Sequence, residues 1–290
     1  MFTSFMELEY MNDDRKIKVH TLKCGTMQVR PGDAYIEDRG ILKKRIELPV
    51  NAFLVEHPVH GNILIDTGWS EDAETLLPQH LREFYRPCIR KEETAKEQLH
   101  NMGIEPEDIE LILLTHLDVD HTCALKDFAG KTKRIIVAEQ EYFYSCRNVY
   151  KRRQVWDTWM PYADEIEKVH YRASVLGPAG RGFDVFGDDS VLCVFCPGHT
   201  DGMFSVVVNR SPSNRFIVHG DGKYGGDFSV FASDAAFSQR NISDCVVPGY
   251  GFDRGQQRKT LEFLKEIQTD PKCRRVFFSH CEEKKEQFQF

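Results

Sequence analysis

Four side chains able to bind a metal ion fall within six residues: His116, Asp118, Asp120 and His121. Imidazole nitrogen combined with carboxylate oxygen suits Zn, Fe, Mn or Co rather than calcium. The string Thr115-His-Leu-Asp-Val-Asp-His121 directly follows the apolar run Leu111-Ile-Leu-Leu114. It therefore lies at the C-terminal end of a buried strand, where loops usually carry sites. A single short string of this kind recurs by chance. Three further strand ends carry the same residue types. Cys196-Pro-Gly-His199 gives a histidine after a strand and a tight turn, and Phe216-Ile-Val-His-Gly-Asp221 gives a carboxylate. Val276-Phe-Phe-Ser-His280 gives one more histidine. Asp66 follows Ile63-Leu-Ile65 in the same way and is expected to support the loops rather than to bind metal.

Strands are needed to present these ends. Residues 17–22, 48–55, 63–65, 110–115 and 134–138 read as strands, and so do 191–196, 204–208, 215–219 and 275–279. Residues 73–85, 91–102, 139–150 and 255–268 read as helices, the second ending at Gly103. Two groups of strands, each accompanied by helices, fit an α/β (α+β) architecture: an αββα four-layer sandwich. No repeat, low-complexity tract or linker divides the chain, so residues 1–290 are read as one domain.

Composition narrows the function. Lys and Arg total 38 against 45 Asp and Glu, a formal net charge of −7, which argues against a nucleic-acid partner. No run approaches 18 apolar residues, so no membrane insertion is expected. The N-terminal residues lack the basic and apolar regions of a secretory signal. Nine scattered cysteines read as reduced thiols and a cytoplasmic setting. Cys193 and Cys196 are spaced like a CxxC motif but lie in a strand, where positions i and i+3 face opposite ways, so they read as packing residues. Cys123 and Cys281 flank the candidate metal loops and are read as packing residues too.

With these residues in place, the chain resembles the metallo-β-lactamase superfamily, whose signature is HxHxDH followed by isolated His, Asp and His. Within it the chain is most similar to the N-acyl-homoserine lactonase group. Leu48-Pro-Val-Asn-Ala-Phe-Leu-Val55, Ile63-Leu-Ile-Asp-Thr-Gly68, the D-x-x-Y spacing of Asp221 to Tyr224, Gly251-Phe-Asp253 and Phe277-Phe-Ser-His280 carry that resemblance. It implies one metal bound by His116, Asp118 and His199, a second by Asp120, His121 and His280, and Asp221 bridging them. It implies a dinuclear hydrolase of carboxylic ester or lactone bonds that opens an N-acyl-homoserine lactone by attack of a metal-bridging hydroxide. Asp120 would shuttle the proton to the leaving alkoxide, and Tyr224 would donate a hydrogen bond to the carbonyl oxygen.

Two departures stand out. Asp118 occupies the seat of the second histidine, and the string PGHTPGH reads Pro197-Gly-His-Thr-Asp-Gly-Met203. The family implies two divalent ions, Zn first. The extra carboxylate favours Fe or Mn more than usual. Other readings are an ester or thioester hydrolase of glyoxalase II type and, further off, a non-hydrolytic diiron or metal-binding protein. The partner is a small-molecule lactone or ester, and the state of assembly, monomer or homodimer, is left open. The remaining seven histidines read as structural or solvated. The aromatic residues of 142–159 read as core ahead of a substrate cover.

Overall fold

A computed structural model describes residues 16–42, 44–147, 153–209, 227–282 and 288–290. Its strands pair into two sheets. The first contains β1 (Lys18–Val29), β2 (Ile46–His57), β3 (Gly61–Ile65), β4 (Ile109–Leu114), β5 (Ile135–Ala138) and β6 (Ile166–Val169) in spatial order. The second contains β7 (Arg172–Ala173), β8 (Arg181–Asp184), β9 (Val191–Phe195), β10 (Phe204–Asn209), β11 (Phe228–Phe231) and β12 (Cys273–Phe277), also in chain order. A short β13 (Phe288–Gln289) returns to pair antiparallel with β1 at the edge of the first sheet. In that sheet β1 to β3 are antiparallel, while β3 to β6 run parallel. Among the described strands of the second sheet only β11 and β12 are parallel.

Alternation along each strand decides what fills the layers. From β4, Leu111 and Leu113 enter the core between the sheets, where they join Phe53, Val206, Phe231 and Phe277. Ile112 and Leu114 face outward and pack with Leu99, Phe128 and Trp159. The unbroken apolar run of β4 therefore reflects burial on both faces, as parallel strands require. The outer face of the second sheet is covered by the helix Arg254–Ile267 through Leu261, Leu264 and Ile267. The result is the αββα sandwich. Cys193 lies between the sheets and Cys196 lies in the outer layer, so their sulfurs serve two different cores.

Some elements differ from their sequence reading. The helix expected over 73–85 is two helices, Ala73–Leu76 and Gln79–Tyr85. Pro78 forces Leu77 into an extended conformation, with ψ of 134°, and breaks the run. The helix expected over 91–102 is a 3-10 turn followed by Ala95–Asn101, whose Thr94 cap accepts from the Glu97 amide. β11 was not foreseen, and the strand read at 215–219 lies outside the described residues. Tyr142 and Trp159 pack edge to face at 5.5 Å beneath the first sheet, so this described part of the aromatic segment is core. No helix among the described residues is long and apolar enough to cross a membrane.

Candidate metal centre

The site is assembled at strand ends from both sheets. After β4 the chain turns into a short helix, Val119–Thr122, that starts at Asp118 and carries Asp120 and His121. His199 follows β9 across a tight turn, in which Gly198 has φ +130° and a Cβ would meet the Gln257 amide nitrogen at 2.4 Å. Only glycine fits there. His280 follows β12, and a 3-10 turn after β11 presents Asp234. All seven residues are at most 3% exposed.

Their reacting atoms converge in three overlapping groups: His116, Asp118 and His199; His116, His121 and Asp234; Asp120, His121 and His280. Within each group the ligand atoms lie within 4.8 Å of one another. Asp234 is central. Its Oδ1 is 3.2 Å from His121 Nε2 and 3.1 Å from His280 Nε2, and its Oδ2 is 3.4 Å from His199 Nε2. Sequence reasoning brought together six of these residues and missed Asp234. Asp221 and Tyr224 lie outside the described residues, and the carboxylate seat between the two histidine sets is filled by Asp234. Three residues further on stands Phe237, where a D-x-x-Y pattern would place a phenol.

Outer contacts aim the rings. His121 donates from Nδ1 to Asp66 Oδ2 at 2.8 Å, and the same carboxylate accepts from the Thr115 amide and hydroxyl. His280 Nδ1 donates to the Pro49 carbonyl at 3.0 Å. Both rings are thereby held with Nε2 toward the centre. The Ser233 hydroxyl donates to Thr115 Oγ1 at 2.7 Å, which joins the turn that carries Asp234 to the loop after β4. A buried Glu141 accepts from the Leu117 amide with Oε1 and from Thr200 Oγ1 and the Gly202 amide with Oε2. It braces both ligand loops from below. Burial pushes its carboxyl up to about 7 against these donors.

Charge is concentrated here to an unusual degree. Burial alone would lower His121, but Asp66, Asp234 and Asp120 hold it well above the usual histidine range. Burial would raise Asp234, but His280, His121 and His199 hold it well below the usual carboxylate range. Asp120 is raised by burial. His116 Nε2, His121 Nε2, His280 Nε2 and Asp234 Oδ1 are buried without a hydrogen-bond partner. Buried polar atoms are rarely left so. Lone pairs converging in this way fit divalent metal ions, so the residues present suit the group expected from sequence.

Above the centre a narrow pocket is lined by Met27, Val29, Phe84, Tyr85, Phe237 and Tyr250, over Asp118, Asp120, Arg153, His199 and Asp234. The Tyr85 phenol lies in the field of Asp120, Asp118 and Asp234, which, after burial, hold it well above its usual range.

Comparison with known families agrees with this geometry. The metallo-beta-lactamase superfamily profile matches residues 45–280. The chain belongs to that superfamily. This superfamily member is 26% identical over 238 residues to N-acyl homoserine lactonase AttM of Agrobacterium fabrum, covering 79% of this chain and 78% of that one. It is 26% identical over 243 residues to an N-acyl homoserine lactonase of Bacillus cereus, covering 81% and 82%. Its fold is similar to a crystal structure of AiiA from B. thuringiensis with N-decanoyl-L-homoserine at the active site. That match has a TM-score of 0.71 at 21% identity and covers 93% of this chain and 98% of the other.

Proposed function

We propose that this superfamily member is a dinuclear metal-dependent hydrolase that opens the ring of an N-acyl-homoserine lactone or a closely related lactone. The observation that carries the reading is the set of buried, unpartnered imidazole nitrogens and carboxylate oxygen at the strand ends. Its superfamily relatives named as lactonases support the substrate class. His116, Asp118 and His199 would hold one ion, Asp120, His121 and His280 the other, with Asp234 between them. Zn is the first choice, and Fe or Mn is the alternative that Asp118 favours. Bound there, the ions supply a Lewis acid for the carbonyl and acidify a water that serves as nucleophile.

The remaining chemistry belongs to the chain. Asp120, 3.5 Å from His280 Nε2, would take the proton released by the attacking water and pass it to the leaving alkoxide. A phenol near the carbonyl oxygen would donate to the developing oxyanion. Tyr224 is the donor expected from sequence, and Tyr85 is the described phenol that faces the carboxylates. Met27, Val29, Phe84 and Phe237 give the pocket an apolar wall for an acyl chain. Nine free thiols favour a cytoplasmic setting.

Metal analysis of the purified protein, run with a ring-opening assay on acyl-homoserine lactones and with ester and thioester substrates in parallel, tests the reading. Two equivalents of metal with preferential lactone turnover are expected. Thioester turnover without lactone turnover would transfer the site to the glyoxalase II type of chemistry. Bound iron with no hydrolysis would move it to the non-hydrolytic class.

A further inference from the structure

The two halves of the centre are not equivalent. The nitrogens of His121 and His280 that face Asp234 and Asp120 carry no hydrogen bond. At the first group His116 Nε2 is left in the same way, but the other two ligand atoms are engaged. Arg153 Nη1 donates to His199 Nε2 at 2.9 Å and lies 3.1 Å from Asp118 Oδ2. Those are the two atoms that a metal at this group needs. The other oxygen of Asp118 accepts from Gln154 Nε2 at 2.7 Å. The protein's own side chains thus satisfy Asp118, whereas they leave the Nε2 atoms of His121 and His280 across the centre without a hydrogen bond.

The arginine is anchored for this position. Its backbone carbonyl accepts from the Val119 amide at 3.1 Å, beside the ligand loop, and its Nη2 donates to the His199 carbonyl. Its side chain is 15% exposed, at the pocket wall next to Tyr250. An aspartate in the histidine seat adds a negative charge, and Arg153 brings the matching positive one. A buried guanidinium forms such two-pronged contacts more readily than an ammonium.

We propose that Arg153 is a resident cation of the first group, so that divalent ions load the centre unequally. The group of Asp120, His121, His280 and Asp234 fills first. The group of His116, Asp118 and His199 fills only when the guanidinium is displaced from Asp118 and His199. The inference rests on the metal-centre reading above and adds an order of loading to it. A guanidinium and a divalent ion at one carboxylate repel even at the effective dielectric of a protein interior, so the second equivalent is expected to bind at least about 10-fold more weakly than the first.

The test is titration of chelator-stripped full-length protein with cobalt(II), read by visible d–d absorbance and by bound cobalt after gel filtration. Wild type is expected to show two separated steps. Arg153→Met, checked for folding by circular dichroism, is expected to merge them by tightening the second. Arg153→Lys keeps a charge without the two-pronged contact and is expected to narrow the gap; it decides the matter alone if the methionine variant does not fold. Two equal steps in wild type, or an unchanged gap in a folded variant, would overturn the proposal. His280→Ala separates this failure from failure of the parent reading. Loss of the tight first step in that variant supports the assignment of the groups. A wild-type protein that binds no cobalt overturns the metal centre itself, whereas equal binding of two ions removes only the role of Arg153.

Discussion

Asp66 binds none of the converging atoms, yet changing it should weaken metal binding measurably. In Asp66→Asn the side chain keeps its shape and loses one acceptor. Asp66 Oδ2 takes the His121 Nδ1 proton at 2.8 Å, and Oδ1 takes the Thr115 amide proton at 2.8 Å. An amide can offer its oxygen to only one of them. If its NH2 faces Thr115, two donors collide. If it faces His121, the ring must accept at Nδ1 and carry its proton on Nε2, the atom aimed at Asp234. Either way a buried hydrogen bond to a charged group is lost, worth about 1.5–3 kcal/mol of stability. Partners that orient a metal-binding histidine typically contribute 10–100-fold in affinity, and that is the loss expected here. Competition with a chromophoric chelator measures it, with urea unfolding of the metal-free protein alongside. If Asp66→Asn binds metal as tightly as wild type, the fixed tautomer of His121 is not what delivers Nε2 to the centre.

Other outcomes follow from the same geometry. Asp234→Ala should remove metal from both groups, whereas Asp221→Ala should leave metal content unchanged if Asp234 alone fills the central seat; atomic absorption distinguishes them. Tyr85→Phe and Tyr224→Phe, assayed side by side on a lactone, should show which phenol meets the oxyanion, since loss of such a donor lowers kcat by roughly 10²–10³-fold; unchanged turnover in both would exclude these two phenols. Glu141 gives a pH signature. Its folded pKa of about 7 lies above the ordinary 4.5, so its contribution to stability is complete below pH 4.5 and is lost as pH rises to about 7. At about 1.4 kcal/mol per unit the loss approaches 3 kcal/mol, and Glu141→Gln should flatten that part of the unfolding profile, even with lower stability overall. A slope that persists in the variant would assign it to another group.

Most of the centre was legible because the chain writes it as apolar strand, turn, ligand, four times over. His116 to His121, His199 and His280 each follow such a strand directly. The central carboxylate was ambiguous for a local reason. Phe216-Ile-Val-His-Gly-Asp221-Gly-Lys-Tyr224 and Phe228-Ser-Val-Phe-Ala-Ser-Asp234-Ala-Ala-Phe237 have the same outline, and the first carries the tyrosine. What tells for Asp234 is the parallel pairing of β11 with β12, which sets it beside His280 and cannot be seen in either segment alone. Arg153 and Glu141 had no signal at all. Each reads as an ordinary surface charge, and each acquires a role only through partners more than 20 residues away. The layers were legible from alternation, and the break at Pro78 follows from proline chemistry, since the residue before a proline is pushed out of the helical region.

The hydroxyl bridge from Ser233 to Thr115, continued to Asp66, crosses from the second sheet to the first directly beneath the ligands. The bonds that orient the histidines are thus also a rivet through the seam of the sandwich. Sliding one sheet over the other would misaim the ligands, and releasing the ions would remove a clamp from the seam. Metal retention and resistance to heat should therefore rise and fall together, and a sheet transplanted without its partner would inherit half a site with nothing to hold it true.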